Sequence, residues 1–162
     1  GLGRNSMAKK GSLFLANAVV LSLLGGVTSA SAEERATNIG YVVDQAYEWS
    51  IPSQIVFTAN SNTDTRSFPV TVSKNIIGYG KYLHISLASD SAFTISDVNS
   101  PGNQRQYEVK NGNTVYSKGQ DVLKVASGVN SGSSTLSFVL QPVAVQKAGT
   151  YRGMVNFVSS VS

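Results

Sequence analysis

The sequence contains no cysteine, one tryptophan and one histidine in 162 residues. Without cysteine there is no disulfide framework, no thiolate metal site and no thiol nucleophile. With His84 as the only imidazole, a clustered zinc site has too few ligands, and general-base catalysis would rest on one side chain. That residue falls at an outward position of the alternating stretch Tyr82-Leu83-His84-Ile85-Ser86-Leu87. No G-x-S-x-G elbow marks a serine hydrolase. Gly78-Tyr79-Gly80-Lys81 is too short for a phosphate loop and leads into no helix.

Charge is sparse as well, and much of its imbalance sits at one end. Met7-Ala8-Lys9-Lys10 is a positive start, residues 13–27 form an apolar run, and Ala30-Ser31-Ala32 is a small-residue cleavage signal. A membrane-spanning helix needs about 20 apolar residues, whereas this run has roughly fifteen. It is interrupted by Asn17, Ser22, Gly25 and Gly26 and lacks a basic stop-transfer flank. Residues 1–6 therefore read as an expression scar or a misplaced start, and residues 7–32 as a signal peptide. The exported chain is expected to begin at Glu33 and to fold as one domain over 33–162, secreted or held at the cell surface, with no membrane span. Of thirteen Lys and Arg, three (Arg4, Lys9 and Lys10) precede the cut, while all nine Asp and Glu follow it, which leaves a net charge of +1. Ten scattered cations make no phosphate-binding surface, so nucleic acid is not an expected partner.

The exported part reads as strands. Residues 133–140 alternate Leu136, Phe138 and Leu140 with Ser137 and Val139, and residues 149–158 place Tyr151, Val155 and Phe157 on one parity. These two segments are expected to be the closing strands, joined through Gly149-Thr150-Tyr151. There the glycine turns the chain, and Tyr151 returns its hydroxyl to backbone. Tyr47, Trp49, Ile51, Ile55 and Phe57 share a parity interrupted by Pro52, which predicts a strand, a break and a continuation. Trp49 is expected in the core. Further strands are expected at 68–72, with Pro69 facing an edge, at 82–87, around Phe93 and Ile95, and at 121–126. A hairpin is expected to turn at Asn111-Gly112, and Pro101-Gly102 to sit in a loop. About seven to nine closely spaced strands without helical periodicity imply an antiparallel Ig-like β-sandwich, with a β-barrel as the alternative.

Asp64, Asp90 and Asp97 could supply oxygen ligands to Ca²⁺, but their spacing matches no compact calcium loop and turn formation accounts for them. Glu48 and Glu108 are the carboxylates a glycosidase would need, yet they fall on different strands. No catalytic, cofactor-binding or metal-binding residues are assigned, and no enzyme activity is expected. Tyr79, Tyr82, Tyr107 and Tyr116 fall in or beside loops, off the apolar parity, and are the candidate ligand-binding residues, with Trp49 and Tyr151 structural. Aromatics among Asn, Gln and Ser suit a glycan or protein surface.

The order of leader, Tyr-x-Trp-x-Ile-Pro (47–52), Ser-Gly-Ser-Ser-Thr-Leu-Ser-Phe (131–138) and Ala-Gly-Thr-Tyr-x-Gly-x-Val-x-Phe (148–157) resembles small secreted β-sandwich modules of Gram-positive bacteria and, more loosely, their WxL surface domains. The closing strand carries Phe157 and Val158 where those domains carry Trp-x-Leu. The resemblance implies no catalytic residues. It implies a cell-surface structural or adhesive, fimbrial-like protein that associates with protein, glycan or its own copies, through edge-strand pairing. A carbohydrate-binding module is the alternative.

Overall fold

The computed structural model describes residues 4–11 and 31–162; the apolar run of the expected leader lies outside the described residues. The fold is all-β and antiparallel, and no helix forms among the described residues. None there is long and apolar enough to cross a membrane. The strands are β1 (Arg4–Gly11), β2 (Gln45–Pro52), β3 (Asp64–Ile76), β4 (Tyr82–Leu87), β5 (Thr94–Asp97), β6 (Ser100–Asn111), β7 (Thr114–Val115), β8 (Asp121–Ala126), β9 (Gly132–Leu140), β10 (Tyr151–Arg152) and β11 (Phe157–Val161). A large curled sheet has the order β1-β2-β3-β9-β6-β5-β10, with β7 on β6, and a small sheet has the order β11-β4-β8.

Alternation puts one face of each sheet in a shared core. Phe68, Val70 and Val72 of β3 and Leu136 and Phe138 of β9 face Leu83, Ile85 and Leu87 of β4. Burying each such side chain contributes about 1.5–3 kcal/mol. Trp49 and Tyr47 are buried in the same cluster, and the Tyr47 hydroxyl reaches across to Ser159 Oγ at 2.9 Å. Asn75 ties β3 to the turn after β8, its Nδ2 donating to Ala126 O at 3.2 Å and Val129 O at 3.0 Å.

Several boundaries differ from the sequence expectations, each for a local reason. Residues 149–158 do not form one strand: β10 pairs with β5 of the large sheet, β11 with β4 of the small one, and the chain crosses between sheets at 153–156. A Cβ at Gly153 would lie 2.6 Å from Thr94 O, so only glycine allows the chain to pass β5 this closely before leaving it. Gly149 is likewise a matter of space, since a Cβ there would meet Asp97 Oδ2 at 2.5 Å. β2 does end at Pro52, but residues 54–58 do not continue as a strand. Pro69 lies in β3, which is central, not at an edge; the pairing with β2 ends at Ser50 opposite Thr71, so one flank is already open where the N–H is missing. The hairpin turns at Gly112 and Asn113, one residue later than expected, with Asn111 paired to Thr114. Pro101 and Gly102 lie in β6, which begins at Ser100 because Asp97 Oδ1 accepts Asn99 N–H at 3.0 Å and closes the preceding turn tightly. Residues 4–6, set aside in the sequence reading, belong to β1, which lies along β2 from Arg4 opposite Pro52 to Gly11 opposite Gln45. The edge of β2 offers unpaired backbone groups, and the preceding chain fills it.

The close passage at Gly153 makes a direct prediction. Gly153→Ala should lower stability by about 1–3 kcal/mol, the usual cost of forcing an extra methyl into packed surroundings, measured by urea denaturation.

Candidate functional site

The four tyrosines do not gather into one surface. Tyr79 is fully exposed in the turn before β4, and Tyr82 is partly exposed at the start of β4. Tyr116 is half-buried and packs on the core. Tyr107 is the correction: it is buried on the inward parity of β6, with its ring against Phe93, Phe57 and Phe138 at centroid separations of 6.0–6.5 Å. Burial raises its hydroxyl pKa. Its parity was misread because β6 begins at Ser100, which fixes the alternation through Arg105, Tyr107 and Val109. Tyr151 donates its hydroxyl to Lys147 O at 2.6 Å and accepts from Asn103 Nδ2 at 2.8 Å, which fixes the corner before β10.

The outer face of the small sheet assembles a hydrogen-bonded row that the sequence does not show. His84 Nδ1 meets Asp121 Oδ2 at 2.6 Å and His84 Nε2 meets Ser162 Oγ at 3.0 Å. Ser86 Oγ donates to Asp121 Oδ1. The serine, imidazole and carboxylate stand in the order of a hydrolytic triad. However, Ser162 N–H is committed to Tyr82 O at 3.1 Å, so it cannot serve as an oxyanion donor beside its own hydroxyl. The row joins β8, β4 and the end of β11, and Lys124 lies 4.2 Å from the Tyr82 ring centroid beside it. Burial pushes the Asp121 carboxyl up, but hydrogen bonds from Ser86 and His84 and the charges of His84 and Lys124 outweigh it and hold the group below the usual carboxylate range.

Among the described residues no three of His, Asp and Glu gather to hold a metal ion. Asp64 accepts Thr58 N–H at 2.6 Å and Thr65 N–H at 3.0 Å, so its oxygens close a turn. Glu48 lies on β2 and Glu108 on β6, with β3 and β9 between them. Their ladder positions on β3, Ser73 for Glu48 and, through Val139, Thr65 for Glu108, stand eight residues apart, so about 27 Å along the strands adds to about 14 Å across three strand spacings, outside the range of paired glycosidase carboxylates.

A concave feature lies where the chain changes sheets. A cleft of about 1180 Å³ opens between residues 54–61 on one side and 146–153 on the other. It runs on into a hollow of about 340 Å³ floored by Ile95, Tyr107 and Phe138, with Phe57 and Phe157 on its walls. Residues 54–58 and 153–156, which flank this seam, belong to no ladder. At its wide end Arg105 is buried, yet it faces only neutral acceptors. Its guanidinium donates to Asn62 O and Gln141 O, both at 2.8 Å, and to Gln146 Oε1 at 3.4 Å. Nε has no partner. Arg105, Lys147 and Arg152 line the cleft and no carboxylate does. A buried cation without a counter-charge leaves this end of the seam positive. Sequence reasoning missed this site because Arg105 sits on an apolar parity, and only the fold shows which loops it meets.

No family model matches the chain, and no curated protein matches it.

The Asp121 network gives a signed pH prediction. A carboxyl whose folded pKa is depressed contributes stability above its unfolded value, and that contribution is lost as pH falls through the folded value. Stability should therefore drop below about pH 4, and Asp121→Asn should flatten part of that acid limb, followed by thermal melts from pH 6 to pH 2.

Proposed function

We propose that the protein is a secreted or cell-surface structural subunit that associates with copies of itself by strand addition. The observation that carries this reading is the segment before β2. Residues 32–44 belong to no strand, and they present Ile39 (94% exposed), Tyr41 (90%) and Val43 (56%) on one parity. Ile39, Tyr41 and Val43 thus form an exposed period-two apolar face, the pattern of a strand. Support comes from β1, in which the same chain adds a segment to the open side of β2. If the leader is removed after Ala32, that side is vacated and becomes a second place where an extended chain can pair. The resemblance to surface modules of Gram-positive bacteria points the same way, toward an adhesive, fimbrial-like component.

No catalytic step belongs to this reading. The Asp121, His84 and Ser162 row is taken as the tie that holds β11 to its sheet, and the exposed Tyr79 as a surface residue.

The chain beginning at Glu33 should form concentration-dependent oligomers in sedimentation velocity, and removal of residues 33–43 should abolish them without changing the circular dichroism. A strict monomer that binds a glycan array, with binding lost on Tyr79→Ala or Tyr116→Ala, would replace this reading with that of a carbohydrate-binding module.

A further inference from the structure

We infer that the acceptor for this strand is the seam between the two sheets, and that its occupant is the lead-in segment, residues 33–43, of a second copy. The inference rests on the self-association proposed above and names the surfaces that make it. Three features of the seam fit that occupant. Gln54, Ile55 and Phe57 from one stretch and Gly153, Met154 and Val155 from another line the same hollow outside any ladder, so an extended chain laid along them meets backbone donors and acceptors of both. Thr58 N–H and Asn156 O, committed to Asp64 and Ala88 N–H, are not among them. The hollow is apolar, lined by half-buried Ile51, Ile55, Phe57, Ile95 and Val155 and by exposed Met154 over the buried Tyr107 and Phe138, and it matches a donor that turns Ile39, Tyr41 and Val43 to one side. The wide end holds Arg105, Lys147 and Arg152 with no acid among the lining residues, and the donor segment starts with Glu33 and Glu34, offset by Arg35 alone.

Charge and apolar pattern together set the direction. With Glu33 and Glu34 at the cationic end and Val43 toward Ile51, the donor runs antiparallel to residues 54–58. Five residues separate Glu34 from Ile39, about 17 Å in extended chain, which carries the donor from the cationic end into the apolar hollow. The contact is head-to-tail: the donor segment of one copy and the seam of the next are different surfaces. Passed on in one direction such contacts close into a ring or continue as a filament, and exchanged reciprocally between two copies they close a domain-swapped dimer. An antiparallel edge-to-edge pairing of two β2 strands would instead be isologous and end at two copies.

The absence of cysteine makes the test clean, since every disulfide must come from introduced residues. In the chain beginning at Glu33, the donor variant Tyr41→Cys is mixed with one of three acceptor variants under mild oxidation. These are Met154→Cys on the seam, Glu48→Cys on β2 and Lys118→Cys on an exposed turn as the measure of random collision. All positions are exposed or half-buried, and circular dichroism checks that each variant is folded. The expected result is a mixed 41–154 disulfide, mapped by peptide mass, in clear excess over 41–118, and lost when Glu33 and Glu34 of the donor are replaced by Lys or when salt is raised. A dominant 41–48 disulfide would overturn the seam as acceptor while leaving self-association standing. Mixed disulfides no more abundant than 41–118 at both sites would overturn both. A Tyr41→Cys/Met154→Cys double variant that closes its disulfide within one chain at high dilution would show that the segment folds onto its own seam, and the second copy would be excluded as occupant.

Discussion

Close passage of one backbone stretch past another governs this fold. At Gly153 the chain runs so near β5 that a single methyl would strike Thr94 O, and it then departs for the other sheet. Because the crossing occupies residues 153–156, the last segment cannot pair along its whole length with either sheet. It gives two residues to the large sheet as β10 and five to the small one as β11. Pro52 ends β2, and residues 54–58 run on outside any strand ladder. A glycine and a proline, each acting through backbone sterics, thus hold open the seam on which the functional reading depends.

The two ends of that seam are fixed by different forces. Toward β2 the walls are apolar, and Val155, Phe157, Ile51 and Phe57 pack against the buried cluster. Toward the loops Arg105 joins residues 59–63 to 141–147 through Asn62 and Gln141. Asn62 reinforces the clamp by accepting Val143 N–H at 3.0 Å and donating to Val143 O at 2.8 Å. A guanidinium is suited to this task because its planar donors serve several carbonyls at once. The same neutral clamp leaves its charge uncompensated, so one residue both builds the loop cluster and sets the sign of the cleft.

Much of the fold was legible in the sequence, because alternation survives wherever a strand has one buried face. Residues 82–87, 121–126 and 133–140 show this most clearly, with Leu83, Ile85 and Leu87 all buried. The corner at Tyr151 and the core position of Trp49 follow from the same reasoning. Alternation failed where a single parity passes through two partners: Tyr151, Val155 and Phe157 share a period, but the sheet changes beneath them. Tyr107 was misplaced because charged Arg105, two residues before it, shares its inward parity and breaks the apolar pattern. The cleft was invisible for a different reason. Its cations come from β6, from the loop after β9 and from β10, and only the sheet order brings Arg105, Lys147 and Arg152 to one place.

Hydrogen–deuterium exchange on the chain beginning at Glu33, followed as a function of protein concentration, tests the central claim most directly, because it reads the backbone groups that strand insertion would pair. The account predicts that amides of residues 39–43, 54–57 and 153–155 gain protection together as concentration rises, while those of β2 facing the vacated edge do not. Protection at those three segments that is the same at every concentration, or that rises only along β2, would contradict it.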